Sequence, residues 1–221
     1  VMVHDATSLR DRLDGFDPAL SLMLVDFDGV VVDSEPIQHR AYSSVLHPYG
    51  VAISTDDFRR YIGSSEDQIL EGVQRDHGCV LDLAAVKAQR ALALDAAFAA
   101  LAAPNWFVRP ALEWIRDRSG SVRVASAGHR HRIASTLERF GFAHLVDAIH
   151  TVPEQPAGTT KTELVDALIG PTPATTVVIE DNPSVLAHVA RRGCRTIAVH
   201  HGYNVGAITS ADIQVAARPA S

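Results

Sequence analysis

Short β-branched runs recur along the chain with helical patterns between them, and this alternation constrains the fold more than any other feature. The runs cover residues 22–32, 122–125, 176–179 and 196–199. Each is apolar almost throughout, as expected of strands buried on both faces. Leu186, Val189, Ala190 and Gly193 fall at i, i+3, i+4 and i+7 after Pro183, a residue suited to a first helical turn. Ile133, Leu137 and Phe140 form a similar stripe that Gly141 stops. Strands alternating with helices predict an α/β fold with a parallel sheet and helices on both of its faces. A last short strand is expected after Ala211.

One region breaks the rhythm. From about residue 34 to 104 there is no strand pattern, and residues 83–103 are rich in alanine, the best helix former. Leu94, Ala97, Phe98 and Leu101 share one face of that helix, and prolines punctuate the chain near residues 34–36 and 103–110. The expectation is an all-α insert, residues 34–105, in a core made of residues 1–33 and 106–221. The fold class is α/β, a doubly wound, Rossmann-like parallel sheet carrying an all-α cap insert.

The chain has 221 residues, enough for one large domain or a core plus a small insert. A formal net charge of -6 argues against sequence-independent binding of nucleic acid, which needs a basic surface. There are no polybasic clusters to attach it to an anionic membrane. No stretch approaches the roughly 20 apolar residues of a membrane span. Residues 1–15 carry charges at Asp5, Arg10, Asp11, Arg12 and Asp14, so no secretory signal is expected there. Cys79 and Cys194 lie far apart without metal-type spacing, which points to reduced thiols and a cytoplasmic location. The absence of His-x-x-x-His spacing in a helical context argues against zinc.

Chemistry concentrates at the ends of the apolar runs. Asp26-Phe27-Asp28-Gly29-Val30 directly follows one. In a parallel sheet, ligand sites lie beyond the carboxyl ends of the strands. Of two aspartates at i and i+2 there, one can attack phosphorus and the other can carry a proton to and from an ester oxygen. The competing reading is a turn closed by Asp-Gly. A second run ends in Glu180-Asp181-Asn182. Carboxylates from neighbouring strand ends can share Mg²⁺, a hard cation that prefers oxygen ligands; otherwise Asp181 or Asn182 would simply cap the helix at Pro183. Ser126, Ala127 and Gly128 follow a third run and could offer a hydroxyl and backbone N–H groups to a phosphate. Lys161 opens a helical pattern; its ammonium could neutralise a transferring phosphoryl group, or be an ordinary surface charge.

These pieces, in this order, resemble the haloacid dehalogenase superfamily. DFDGVVVDSEP is similar to the opening motif of its β-phosphoglucomutase and phosphoglycolate phosphatase branch. VIEDNPSVLAHVARRG resembles that branch's acidic motif and following helix, and YIGSSEDQIL its cap loop. The resemblance implies Asp26 as a nucleophile that becomes an aspartyl-phosphate and Asp28 as general acid/base. It implies Mg²⁺ bound by the Asp26 carboxylate, the Asp28 backbone carbonyl and Asp181, with Glu180 beside them. Ser126, the Ala127 N–H and Lys161 would hold the phosphoryl group. Gly63, Ser64 and Ser65 would face substrate from the cap. The family's Lys-Pro-x-Pro-Asp is replaced here by Lys161-Thr162-Glu163-Leu164-Val165.

The implied activity is Mg²⁺-dependent hydrolysis of a small phosphomonoester, a sugar phosphate or similar metabolite, by a monomer or homodimer. A sugar phosphomutase is the alternative. In that family a histidine and a cap arginine grip a second phosphate, and those places align with Gln38 and Glu66, where a carboxylate would repel an anion. A receiver domain also phosphorylates an aspartate but is about half as long, and a catalytically silent protein on the same fold would not need Asp26, Asp28, Asp181 and Lys161. The stretch His129-Arg130-His131-Arg132 could present a cation to an anionic substrate or be a solvated first turn. His200 and His201, after a strand, could line the site or the surface.

Overall fold

The computed structural model describes residues 2–62, 64–101, 103–203 and 211–217. In chain order the elements are β1 (Met2–Val3), α1 (Ala6–Asp14), β2 (Leu22–Val25), α2 (Glu35–Leu46), α3 (Thr55–Arg59), α4 (Glu66–His77) and α5 (Leu83–Ala99). Then come α6 (Val108–Arg116), β3 (Ser121–Ser126), α7 (Arg130–Arg139), β4 (Ala148–Thr151), α8 (Lys161–Ile169), β5 (Thr176–Glu180), α9 (Pro183–Arg191), β6 (Arg195–His200) and β7 (Ile213–Ala216). The chain divides into two compact units, one of residues 1–33 with 103–221 and one of residues 34–102.

In the first unit the strands form one parallel sheet in the order β1-β7-β6-β5-β2-β3-β4. The order turns at β2. Leu22–Val25 pairs on one side with Ser121 to Val124 and on the other with Thr176 to Ile179. Both faces are covered, which is why these strands read as continuous apolar runs rather than as alternating ones. Leu24, Ala125 and Val178 pack with Val165 and Ile169 of α8 and with Val185 and Val189 of α9. Their neighbours in sequence, Met23, Val25, Val177 and Ile179, are buried as well.

Three differences from the sequence reading have physical reasons. The run expected as one strand over residues 22–32 ends as a strand at Val25. Val30, Val31 and Val32 stay buried but belong to a turn, in which the N–H groups of Val31 and Val32 both donate to the Phe27 carbonyl. Gly29 has a φ of 76°, open to glycine and strained for other residues, and turns the chain there. The Asn105 side-chain amide then pins the turn by donating to the carbonyls of Gly29 and Val30, at 3.4 and 2.8 Å. Strands β1 and β4 carried no signal, because one has two residues and the other, Ala148–Thr151, is a half-exposed edge broken by His150. The Ala-rich helix ends at Ala99 and buries Val86, Leu94 and Phe98.

Among the described residues of the second unit, the regular elements are all helices, including α2 to α5. Its interior includes Ile37, Tyr42, Leu46, Phe58, Leu70, Val73, Leu94 and Phe98. Serines set its helix starts: the hydroxyls of Ser54 and Ser65 each accept the third backbone N–H of the helix they precede.

Asn182, not Asp181, caps α9, accepting from the N–H groups of Ser184 and Val185 at 2.9 and 3.4 Å. We expect Asn182→Ala to cost about 1 kcal/mol, read as a fall of roughly 2–4 °C in Tm. No change in Tm would show that the cap contributes nothing.

Candidate active site

Four side chains from three elements converge beyond the carboxyl ends of β2 and β5. Asp26 follows β2 and is bound into the sheet by its own N–H, which donates to the Ile179 carbonyl at 3.0 Å. Its Oδ1 accepts from the Phe27 N–H at 2.6 Å. Glu180 is the last residue of β5 and Asp181 the next. Because Asn182 does the capping, the Asp181 carboxylate is left to the site. Lys161 is the first residue of α8, whose start is fixed by the reciprocal Thr160–Glu163 capping box. Its Nζ contacts Asp26 Oδ2 and reaches Glu180 Oε2 at 2.8 Å and Oε1 at 3.1 Å. Glu180 Oε1 also accepts from the N–H groups of Asp181 and Asn182, at 3.1 and 3.0 Å.

The site is largely buried and overcharged. Asp26 is 5% exposed and Glu180 1%. Burial, and then the Glu180 carboxylate, push the Asp26 carboxyl well above the usual carboxylate range, with Lys161 pulling against them. Burial likewise raises Glu180 against the pull of Lys161. Burial would lower Lys161, but Asp26 and Glu180 hold its ammonium well above the ordinary value. Asp181 goes the other way: despite burial, a hydrogen bond from His201 and the Lys161 charge keep it below the usual range.

One ammonium therefore faces three carboxylates. Asp26, Glu180 and Asp181 each place an oxygen within 4.8 Å of the others. An all-oxygen, net-negative set fits a hard divalent cation such as Mg²⁺.

Asp28 lies two residues beyond Asp26, on the side of β3. A Cβ at Gly128 would meet Asp28 Oδ2 at 3.1 Å and Ser126 Oγ at 3.3 Å, so glycine keeps a hollow between the two groups. Ser126, the last residue of β3, is fully buried and accepts from the Gly128 N–H at 2.9 Å. Ala127, between them, is exposed.

Ser64 and Ser65 belong to the helical unit, where the Ser65 hydroxyl caps α4; Gly63 lies outside the described residues. In the same unit Arg90 bonds both positions used to weigh a mutase, Glu66 Oε1 at 2.7 Å and Gln38 Oε1 at 2.6 Å, with its guanidinium 4.0 Å above the Tyr42 ring. The Glu66 carboxylate is thus already paired. Arg130, considered as an anion-holding cation, instead pairs with Glu154 and with the Ile149 carbonyl, tying α7 to the end of β4.

His201 was legible only as a residue after a strand. Its ring is 2% exposed and Nε2 lies 2.8 Å from Asp181 Oδ2. No spacing signals this, since the two residues sit at the ends of adjacent strands β5 and β6.

The chain is similar to known proteins over most of its length. The haloacid dehalogenase-like hydrolase model matches residues 20–187. A phosphorylated carbohydrates phosphatase of Thermotoga maritima is 25% identical over 191 residues, covering 85% of this chain and 88% of that protein. Hexitol phosphatase A of Escherichia coli K12 is 30% identical over 191 residues, covering 80% and 82%. A β-phosphoglucomutase structure from Clostridium difficile superposes with a TM-score of 0.72 at 13% identity, covering 89% of this chain and 90% of that one, and so shares the fold. No helix among the described residues is long and apolar enough to cross a membrane. The chain belongs to the haloacid dehalogenase-like hydrolase family and is a phosphoric monoester hydrolase.

Proposed function

We propose that the protein is a Mg²⁺-dependent phosphatase that hydrolyses a small phosphorylated metabolite, a sugar phosphate or similar compound, through an aspartyl-phosphate on Asp26. The observation that carries this reading is the meeting of Asp26, Lys161, Glu180 and Asp181 in one buried cluster at the turning point of the sheet. Ligands bind at such switch points in open α/β sheets.

Asp26 attacks phosphorus; the bond from phosphorus to the ester oxygen breaks, and Asp28 gives a proton to the departing alkoxide. Water then attacks the aspartyl-phosphate, Asp28 takes its proton, and phosphate leaves with Asp26 restored. Asp28 Oδ2 borders the hollow that Gly128 keeps open beside Ser126, which supports this role. Ser126, the Ala127 N–H and Lys161 hold the phosphoryl oxygens. The Asp26 and Asp181 carboxylates and the Asp28 carbonyl, with Glu180 beside them, would hold Mg²⁺. When bound, the ion supplies positive charge against the clustered carboxylates and the phosphoryl group.

Residues 34–105 would act as the cap that selects substrate, with Gly63, Ser64 and Ser65 on its substrate-facing loop, and residues 1–33 and 106–221 as the catalytic core. Both curated relatives are phosphatases, which favours hydrolysis over phosphoryl return to a sugar. The Arg90–Glu66 pair in turn removes the electrostatic objection to a second phosphate. Both cysteines are free thiols, in keeping with a cytoplasmic enzyme acting as a monomer or homodimer.

The test is phosphate release from para-nitrophenyl phosphate and a panel of hexose, hexitol and glycolate phosphates. We expect turnover with Mg²⁺, abolished by a chelator and restored by excess Mg²⁺. Zero turnover at every pH with Mg²⁺ present would refute the enzyme reading. Conversion of a hexose 1-phosphate to its 6-phosphate without net phosphate release would assign the mutase activity instead.

A further inference from the structure

We infer that His201 is a positioning residue for Asp181 and that it acts as a neutral imidazole with its proton on Nε2. The inference rests on the metal site proposed above. His201 directly follows β6, which pairs with β5 in a register that sets Ala198 beside Glu180. The strand end therefore carries the ring to Asp181, with Nε2 2.8 Å from Oδ2.

The other ring nitrogen fixes the tautomer. The Tyr203 backbone N–H donates to Nδ1 at 3.2 Å. A nitrogen that accepts an N–H carries a lone pair, so the neutral ring has its proton on Nε2 and donates it to Asp181. The contact is then a directional hydrogen bond that orients the Asp181 carboxylate.

Gly29 makes the arrangement possible. A Cβ there would lie 2.9 Å from the Asp181 carboxylate carbon and 3.1 Å from His201 Nε2. The nucleophile's own turn thus leaves room for the bond between residues of two other strands. Ligating carboxylates are commonly held by such partners, and losing one typically costs 10–100-fold in metal affinity.

The experiment measures Mg²⁺ binding by calorimetry to the full chain, to H201L and to H201Q, together with imidazole ¹⁵N shifts of the wild type. Gln can place an amide N–H near the position of Nε2, whereas Leu keeps bulk and offers no donor. The expected result is Mg²⁺ affinity about 10–100-fold weaker in H201L, largely recovered in H201Q, with a donor-type Nε2 and an acceptor-type Nδ1 in the wild type. H201L binding Mg²⁺ as tightly as a wild type that does bind it would overturn this inference and leave the metal site standing. A wild type that binds no Mg²⁺ would overturn both. If H201L fails to fold, H201Q and the ¹⁵N spectrum decide: weak binding by a folded H201Q, or a proton on Nδ1, overturns the inference.

Discussion

Asp26→Asn lowers turnover by about four orders of magnitude or more and abolishes covalent labelling by substrate phosphate, while the protein stays folded. An amide oxygen is a poor nucleophile, and losing the attacking group of a covalent mechanism costs on this scale. The fold tolerates the change for a reason visible at the site. Asn keeps the oxygen that accepts from the Phe27 N–H. Burial and Glu180 already disfavour the charged form of Asp26, so a neutral isostere relieves repulsion. Lys161 keeps its partner in Glu180. In metal-free buffer this relief is opposed by the amide NH2 that then faces Lys161 Nζ, so the variant should melt within about 5 °C of the wild type. Rapid-quench labelling and thermal unfolding check the two halves separately. Substantial turnover or labelling in the variant would remove Asp26 from the role.

Lys161→Met has the opposite profile, losing stability as well as rate. The ammonium is 17% exposed and touches both Asp26 and Glu180. Without it, three clustered carboxylates face one another in a buried site. Removing one partner of a buried ionic group costs about 3–5 kcal/mol, which for a chain of this size is a Tm lower by on the order of 10 °C. Mg²⁺ added in excess should recover part of this loss, because it also offsets the carboxylates. The rate at saturating Mg²⁺ should still fall by about 10²–10³-fold, the usual cost of one missing charge-stabilising donor. Unchanged melting in metal-free buffer would show that the ammonium does not balance the cluster.

The sequence revealed the parts of this site that local chemistry marks. Asp26 and Glu180-Asp181 stand out because each ends a buried apolar run, and a carboxylate there is costly unless it has work to do. Whether Asp181 served the helix or the site was undecidable from spacing, since Asn182 offers the same capping chemistry; the bonds from Ser184 and Val185 assign the cap to Asn182. Lys161 looked like any lysine in a first helical turn. Only the packing of α8 under the sheet brings it to Asp26. His201 and Asn105 were opaque for a related cause: each acts through side-chain hydrogen bonds on residues remote in sequence, and neither leaves a periodic trace. The fold followed the same division. Central strands covered on both faces declared themselves, while edge strands β1 and β4 did not.

The position of β2 in the sheet also bears on how the molecule comes into being. Leu22 pairs with Ser121 on one side and with Thr176 on the other. A ribosome delivering this chain releases β2 long before either partner, and parallel pairing across such separations is slow because loop closure must precede any gain. The helical unit is continuous from residue 34 to 102, so its helices are delivered one after another. Asp26 emerges early, yet Lys161, Glu180 and Asp181 join it only once α8 and β5 have docked. Catalytic competence is therefore a late event in the chain's history, and the onset of phosphatase activity during synthesis or refolding reports closure of the sheet centre rather than collapse of the chain.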